Sequence, residues 1–467
     1  MKNHAYFTAI DLKTIFNENA FVPDYLATVG VSTDTRTLEP GNIFVALQGE
    51  RFDGHNNIND AIIKGAVCIV FEKRWLETWH STLGIEYPSF PRIVVDNTLH
   101  ALGKLAHYHR KRFLIPVVAI AGAAGKTSTK ELTKHLLSQQ FNTLYTAANY
   151  NNQVGTPLTL LQLHKKHQAA VIEIGTNEPG EIEILSEMTL PTHGVITNIG
   201  KEHLEKLINL DGVEKEETSL FRTLNKIDST AIINLDDERL KKYVSTQHRC
   251  TTFSLQQSAD VSASVSFTNA LHPVLTIQYA NSKHTVTCNT IGYAAALNSI
   301  CSAAVVLSVG LTIETVCKGL ESYTSPEVHG YARMVVEHIN GLTVLNDCYN
   351  ANPESMNIAL QTLTAYPTKG KRVALLGDMR ELGEASESEH LQLLEHAVTQ
   401  TDIQIVVGEY FQQAANSLNS MSTIYTCSTH KEAADIVMKL VSPDDIILVK
   451  GSRGLALEKV LELLKNM

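Results

Sequence analysis

The run Ala119-Ile-Ala-Gly-Ala-Ala-Gly-Lys-Thr127 sets small residues and a Lys-Thr pair between an apolar stretch and a helical one. Gly122 and Gly125 let backbone N–H groups close around phosphate oxygens, and Ala123 and Ala124 add little bulk. The helix expected from Ser128 presents its positive N-terminal end, Lys126 adds a cation, and Thr127 offers a hydroxyl to Mg²⁺. Together these groups answer the charges of ATP. A strict G-x-x-x-x-G-K-[ST] pattern would need glycine at 120, where the chain has Ile120, so the assignment rests on strand, turn and helix occurring in this order. The plainer alternative is a small-residue turn between strand and helix. Glu173 is a second candidate. It ends the apolar run Ala169-Ala-Val-Ile-Glu173, which places a carboxylate at the carboxyl edge of a sheet, where α/β proteins bind ligands. A helix-capping or salt-bridging carboxylate is the alternative there.

The elements that must carry these groups fall into three stretches. The first hundred or so residues read as mixed α/β, opening with a helix that Thr8 can cap because Asp11 lies three positions on. Strand-length apolar runs, 42–47 and 66–71, flank the polar, glycine-bearing stretch 48–56, a candidate binding loop. A helix over 98–112 ends in a basic cluster, and Pro116 favours an extended entry into the next segment. From Val117, strands alternate with helices, which predicts a parallel sheet with crossover helices. Short alternating segments over 260–290 predict antiparallel strands, and an Ala-rich helix over 294–308 comes after them. A third unit begins near Pro326, with strands at 343–345, 372–376, 403–407 and 446–449.

Composition bounds the function. The 467 residues, at about 150 per domain, suggest about three domains. The balance of 44% hydrophobic and 19% charged residues is that of a globular chain. A net charge of -10 argues against a surface built for nucleic acid or anionic lipid. No apolar run reaches the roughly 18 residues of a membrane span, and the N-terminal residues lack a signal core, so a cytoplasmic protein with no membrane insertion is expected. Seven scattered cysteines without a C-x-x-C pair indicate neither a disulfide framework nor structural zinc.

Beyond the phosphate loop, motifs occur in a telling order: Asp34-Thr-Arg36, Arg51-Phe-Asp-Gly-His55, Asn149-Tyr-Asn-Asn-Gln-Val-Gly-Thr-Pro157, Glu173-Ile-Gly-Thr-Asn177, Thr197-Asn-Ile-Gly-Lys-Glu-His-Leu-Glu205, Asp347-Cys-Tyr-Asn-Ala-Asn-Pro353, Leu376-Gly-Asp-Met-Arg-Glu-Leu-Gly383 and Lys450-Gly-Ser-Arg-Gly454. Nearly end to end, the chain resembles the Mur ligases, the ATP-dependent amide-forming enzymes of peptidoglycan assembly. The resemblance implies an α/β, three-domain architecture. Residues 1–112 would form a small N-terminal domain for the UDP-sugar end of the acceptor, 113–324 a central P-loop parallel-sheet ATPase, and 325–467 a C-terminal Rossmann-like domain that closes over the site. The pattern is most similar to the branch that adds D-alanyl-D-alanine to UDP-N-acetylmuramoyl-tripeptide through an acyl phosphate. A sibling ligase adding another amino acid is one alternative, although no Asp-Asn-Pro-Arg loop is present; a catalytically silent ATP-binding scaffold is another. A monomer is expected.

By resemblance, Gly122, Ala123, Ala124, Gly125, Lys126, Thr127 and Ser128 hold the phosphates, and Thr127, Glu173 and His203 hold Mg²⁺, with two ions expected. Arg333 reaches the γ-phosphate, and Asn298 and Asp347 contact the nucleotide. Tyr349, Asn350 and Asn352 belong to the nucleotide and amino-substrate loop, although an Asn-Ala-Asn-Pro run is also simply a good turn. Asp34, Arg36, Gly54 and His55 belong to the UDP-sugar pocket, and Asn151 and Asn152 to the acceptor's path.

The chain departs from the family where a lysine carbamate is usual. Fourteen residues after His203 stands Glu217, followed at 219 by serine. Glu217 supplies a carboxylate without modification, on a stem roughly 4 Å shorter. A rival alignment makes Lys215 the carbamate lysine with Glu217 its partner, at the cost of rotating the helix by about 200°. Glu217 is preferred, so no lysine carbamate is expected there. Ala294, Ala295, Ala332 and Asn346 are further departures, at positions where the family more often carries other residues.

Overall fold

Thr8 begins the first helix, Ala9–Phe16, by a reciprocal cap: its hydroxyl accepts from Asp11 N at 3.2 Å, and the Asp11 carboxylate accepts from Thr8 N at 2.7 Å. The computed structural model describes residues 2–50, 52–83, 89–325, 333–418 and 423–466. Arg51, Ala332 and the start of the third unit near Pro326 lie outside the described residues. The chain gathers into two units. One comprises Met1–Ala119, Phe141–Gly175 and Glu181–Thr192, the other Ile120–Gln140, Thr176–Gly180 and His193–Met467.

In the first unit a five-stranded sheet runs in the order Ala20–Phe21, Arg92–Val95, Cys68–Glu72, Ile43–Val45, Val31–Ser32. Ala20–Phe21 joins antiparallel and the other neighbours are parallel. Phe44, Ile58, Ile69, Phe71 and Trp79 fill one face. The polar stretch after Ile43–Val45 forms a tight hairpin, Gln48–Gly49 with Phe52–Asp53, and then the turn Gly54–Asn57. The basic cluster on helix Thr98–Arg110 is partly structural. Arg110 is buried and donates to the carbonyls of Thr189 and Leu190, which end helix Glu181–Thr189. Thr143–Tyr145 and Ala169–Glu173 pair in parallel.

Strand Val117–Ala121 contributes its first three residues to the first unit and its last two to the second. In the second unit, His193–Ile196, Thr230–Asn234 and Cys250–Ser254 are successive parallel neighbours. Val261–Phe267, Pro273–Tyr279 and Ser282–Thr287 then form the antiparallel meander that their alternation predicts. Helix Tyr293–Val309 lies along helix Lys126–Leu137, where Thr133 Oγ1 donates to Ser302 Oγ at 3.1 Å. The helix expected from Ser128 starts two residues earlier because Gly125, at a left-handed φ of +81°, turns the chain into it.

The last third forms a six-stranded sheet in the order Val335–Ile339, Leu342–Asp347, Ile446–Lys450, Arg372–Gly377, Ile403–Val407, Ile424–Cys427. Only the first pair is antiparallel. Its parallel strands are largely apolar because both faces are buried, against Val344, Leu375 and Val437 on one side and Leu345, Leu376 and Phe411 on the other. The last strand inserts between two earlier ones, which sets Lys450 in register with both Asp347 and Leu376. Among the described residues no helix is long and apolar enough to cross a membrane.

Candidate active site

Gly122 has a left-handed φ of +112°, and a Cβ there would lie 2.7 Å from Thr197 N. A Cβ on Gly125 would lie 2.7 Å from Asn298 Oδ1, which also accepts from Thr129 Oγ1 at 3.3 Å. Both positions therefore require glycine for space as well as backbone angle. Gly122 N donates to Glu217 Oε2 at 2.7 Å, Ala123 N to the Asn198 carbonyl at 3.0 Å, and Ala124 N to Asn198 Oδ1 at 2.8 Å. These three amides hold the loop in shape. Lys126, Thr127 and Ser128 form the first turn of the following helix, where the backbone N–H groups and the helix dipole favour anions.

Glu217, on helix Leu210–Glu217, is fully buried, and Glu202 beside it is nearly so. Lys126 Nζ donates to Glu202 Oε2 at 3.0 Å. Two carboxylates thus share one cation. Burial, then the charge of Glu202, push the Glu217 carboxyl well above its ordinary range, while Lys126 pulls it down. Glu202 Oε1 and Glu217 Oε1 each lack a donor among the described residues, an arrangement that calls for a shared proton or a bound cation. The Glu217 carboxylate touches the phosphate-loop backbone directly. Lys215 is exposed, on the side where Asp211, Arg222, Lys242 and Tyr243 line a surface cavity.

His203 adopts a left-handed φ of +50°, with Nδ1 2.6 Å from Glu381 Oε2 and Nε2 3.8 Å from Glu202 Oε2. The His203 hydrogen bond holds the Glu381 carboxyl below its usual range. Lys201 N donates to Glu354 Oε1 at 2.9 Å, and Lys201 Nζ to Glu389 Oε1 at 2.6 Å. Burial raises the Glu354 carboxyl.

In the first unit, Glu173 is buried at its strand end and Oε1 accepts from Asn151 Nδ2 at 2.9 Å. Asn152 plays a different part: Oδ1 accepts from Val154 N and Gly155 N and starts helix Gly155–Leu160. Asp34 and Arg36 form a bidentate pair at the surface, and the Arg36 guanidinium lowers the Asp34 carboxyl to about 2. A Cβ on Gly54 would lie 2.8 Å from the Leu47 carbonyl. His55 is buried with both nitrogens engaged, Nδ1 donating to Asp53 Oδ1 at 2.6 Å and Nε2 accepting from Glu72 N at 3.1 Å. Its ring stacks on Trp75, so His55 shapes the loop.

In the last third, the Arg333 guanidinium lies 3.8 Å over the Tyr349 ring. Asp347 Oδ1 accepts from Met334 N at 3.2 Å and Oδ2 from Lys450 Nζ at 2.6 Å. Lys450 Nζ also donates to the Asn350 carbonyl at 2.8 Å. Asn352 caps helix Pro353–Ala365 reciprocally with Ser355 and extends Nδ2 to the Ala123 carbonyl at 3.4 Å. The run serves as a helix cap, and the cap residue itself reaches the phosphate loop.

Three family descriptions match in order: "Mur ligase family, catalytic domain" over 28–110, "Mur ligase middle domain" over 120–306, and "Mur ligase, glutamate ligase domain" over 332–453. The UDP-N-acetylmuramoyl-tripeptide–D-alanyl-D-alanine ligase of Escherichia coli is 34% identical over 443 residues, 93% of each chain. The chain belongs to the Mur ligase family. Among solved structures, MurF from Acinetobacter baumannii superimposes with a TM-score of 0.88 at 27% identity over all of both chains. MurF ligase from Thermotoga maritima in complex with ADP gives 0.83 at 26% identity, covering 93% of this chain and 97% of that one.

In this Mur ligase the residues missed by motif reading are Glu202, Glu354, Glu381 and Lys450. Glu202, Glu381 and Lys450 lie inside stretches that carry the resemblance, so the motifs held the signal without singling out the side chains. Glu354 gave none beyond its place in the first turn after Asn352-Pro353.

Proposed function

We propose that this Mur ligase joins D-alanyl-D-alanine to UDP-N-acetylmuramoyl-tripeptide at the expense of ATP in peptidoglycan precursor synthesis. The observation that carries the reading is likeness over 93% of both chains to a relative bearing that name. A free carboxylate is a poor acyl donor. Phosphorylating the tripeptide's terminal carboxylate creates a leaving group, and the dipeptide amine then displaces phosphate to form the amide. Positioning and charge neutralisation supply most of the rate.

Residues 1–112, 113–324 and 325–467 are proposed to serve as the acceptor-binding, ATP-binding and C-terminal ligase domains. Lys126 and the first turn of its helix hold the phosphates, with Asn298 against the loop, and Arg333, planar and stacked, meets the γ-phosphate. Asp347 contacts the nucleotide, Tyr349, Asn350 and Asn352 frame the amine, Asp34, Arg36 and Gly54 with the His55 loop take the UDP-sugar, and Asn151 lies on the acceptor's path. Hydroxyl and carboxylate oxygens suit Mg²⁺, which keeps several waters and takes few protein ligands. The unanswered carboxylate oxygens of Glu202 and Glu217 fit a nearby cation. Thr127, Glu173 and His203 would hold Mg²⁺, which when bound offsets phosphate charge. Glu217 fills the carbamate's place without CO₂.

The test is ADP release by the purified protein with Mg²⁺-ATP, both substrates and mass detection of product. Release that needs both substrates and yields the pentapeptide supports the reading; nucleotide binding without turnover refutes it.

A further inference from the structure

Lys450 is nearly fully buried, yet its amine is the meeting point of the loop after strand Leu342–Asp347. It donates to Asp347 Oδ2 at 2.6 Å and to the Asn350 carbonyl at 2.8 Å. The other Asp347 oxygen accepts from Met334 N at 3.2 Å, and the preceding residue, Arg333, stacks at 3.8 Å on Tyr349 of the same loop. One ammonium therefore ties both ends of a closed circuit that runs through Asp347, Met334, Arg333, Tyr349 and Asn350. Burial of a cation is costly unless its hydrogen bonds are well made, and this position is set by the register that places Lys450 opposite Asp347. An apolar residue here would leave the Asp347 carboxylate without its cation and the Asn350 carbonyl without its donor.

We propose that Lys450 is a positioning residue that sets Arg333 and the Tyr349–Asn352 loop for phosphoryl transfer and amine attack. The inference rests on the ligase reading. The Lys450 amine is directed to Asp347 and the Asn350 carbonyl. It fixes Asp347, and Asp347 fixes the backbone on which Arg333 is mounted, so a displacement of about 1 Å at the amine is transmitted to the guanidinium and can cost about a hundredfold in rate.

The test compares wild type, Lys450→Met and Lys450→Arg by steady-state kinetics, thermal melting and trypsin cleavage after Arg333. Lys450→Met is expected to lower kcat about a hundredfold and raise the dipeptide KM, with the UDP-tripeptide KM changed less than twofold. Lys450→Arg, which keeps the charge, is expected to recover at least tenfold of that loss. A merely structural lysine would lower the folded fraction and leave every KM unchanged. Release of Met334 N should also make cleavage after Arg333 at least tenfold faster in Lys450→Met, a readout independent of turnover. If wild type forms no pentapeptide but cleavage is accelerated, the ligase reading fails and the positioning circuit stands. If Lys450→Met does not fold, Lys450→Gln, which removes the charge but keeps a donor, decides: a raised dipeptide KM with an unchanged UDP-tripeptide KM supports the proposal, and no change in either overturns it. Folded Lys450→Met with kcat within threefold of wild type and unchanged cleavage also overturns it.

Discussion

Glu217→Gln removes one of two buried carboxylates while keeping the shape of the side chain and an oxygen for Gly122 N, 2.7 Å away in the parent protein. The glutamine amide can also donate toward Glu202. In the unfolded chain Glu217 titrates near 4.5, and in the folded protein burial and Glu202 raise it well above that value. Between the two values the folded protein holds a proton that the unfolded chain has released. Stability therefore falls as pH rises through this window, by about 1.4 kcal/mol per unit. Two pH units inside it amount to about 2.7 kcal/mol. Glu217→Gln has no such loss, and groups remote from Glu217 that titrate in both proteins cancel in the comparison. Without nucleotide or Mg²⁺, the melting temperature of the variant should rise relative to wild type between pH 5.5 and pH 7.5. Turnover should fall at least ~100-fold, because the carboxylate is gone when the cation arrives. Calorimetric melts at the two pH values, with an ADP-release assay, measure both effects. A melting difference that is flat with pH, or that shrinks as pH rises, would refute the buried-pair reasoning.

Lys126→Ala should abolish turnover to below about a thousandth of wild type, and it should also lower the melting temperature at pH 7.5, because Glu202 and Glu217 lose their shared cation. Gly122→Ala should cost at least ~2 kcal/mol in denaturant unfolding and abolish ATP binding by calorimetry, since the Cβ meets Thr197 and the backbone angle is left-handed; normal binding would argue against the loop assignment. Glu173→Gln keeps an acceptor for Asn151 and should leave stability within ~1 kcal/mol, while the Mg²⁺ concentration for half-maximal rate rises about tenfold or more. An unchanged Mg²⁺ requirement would remove Glu173 from the metal role.

Local chemistry made much of this protein legible in its sequence. Predominantly apolar runs such as 169–173 and 403–407 suit buried strands, Thr8 with Asp11 spells a cap, and Gly122 with Gly125 marks a turn into a helix whose Lys-Thr start suits phosphate. All of these arise from interactions within a few residues. Order and spacing of the motifs carried the family. Pairings between distant segments were not legible, because nothing local records them. Glu217 meets Gly122 from 95 positions away, Lys450 meets Asp347 from 103, and Glu354 meets Lys201 from 153. The choice between Lys215 and Glu217 was of this kind. Spelling allowed both, and helix rotation buries Glu217 against the phosphate loop and exposes Lys215. The same holds for Asn151 and Asn152, adjacent and chemically identical. The fold set one against Glu173 and used the other to start a helix, because only the path of the backbone determines which way each amide points.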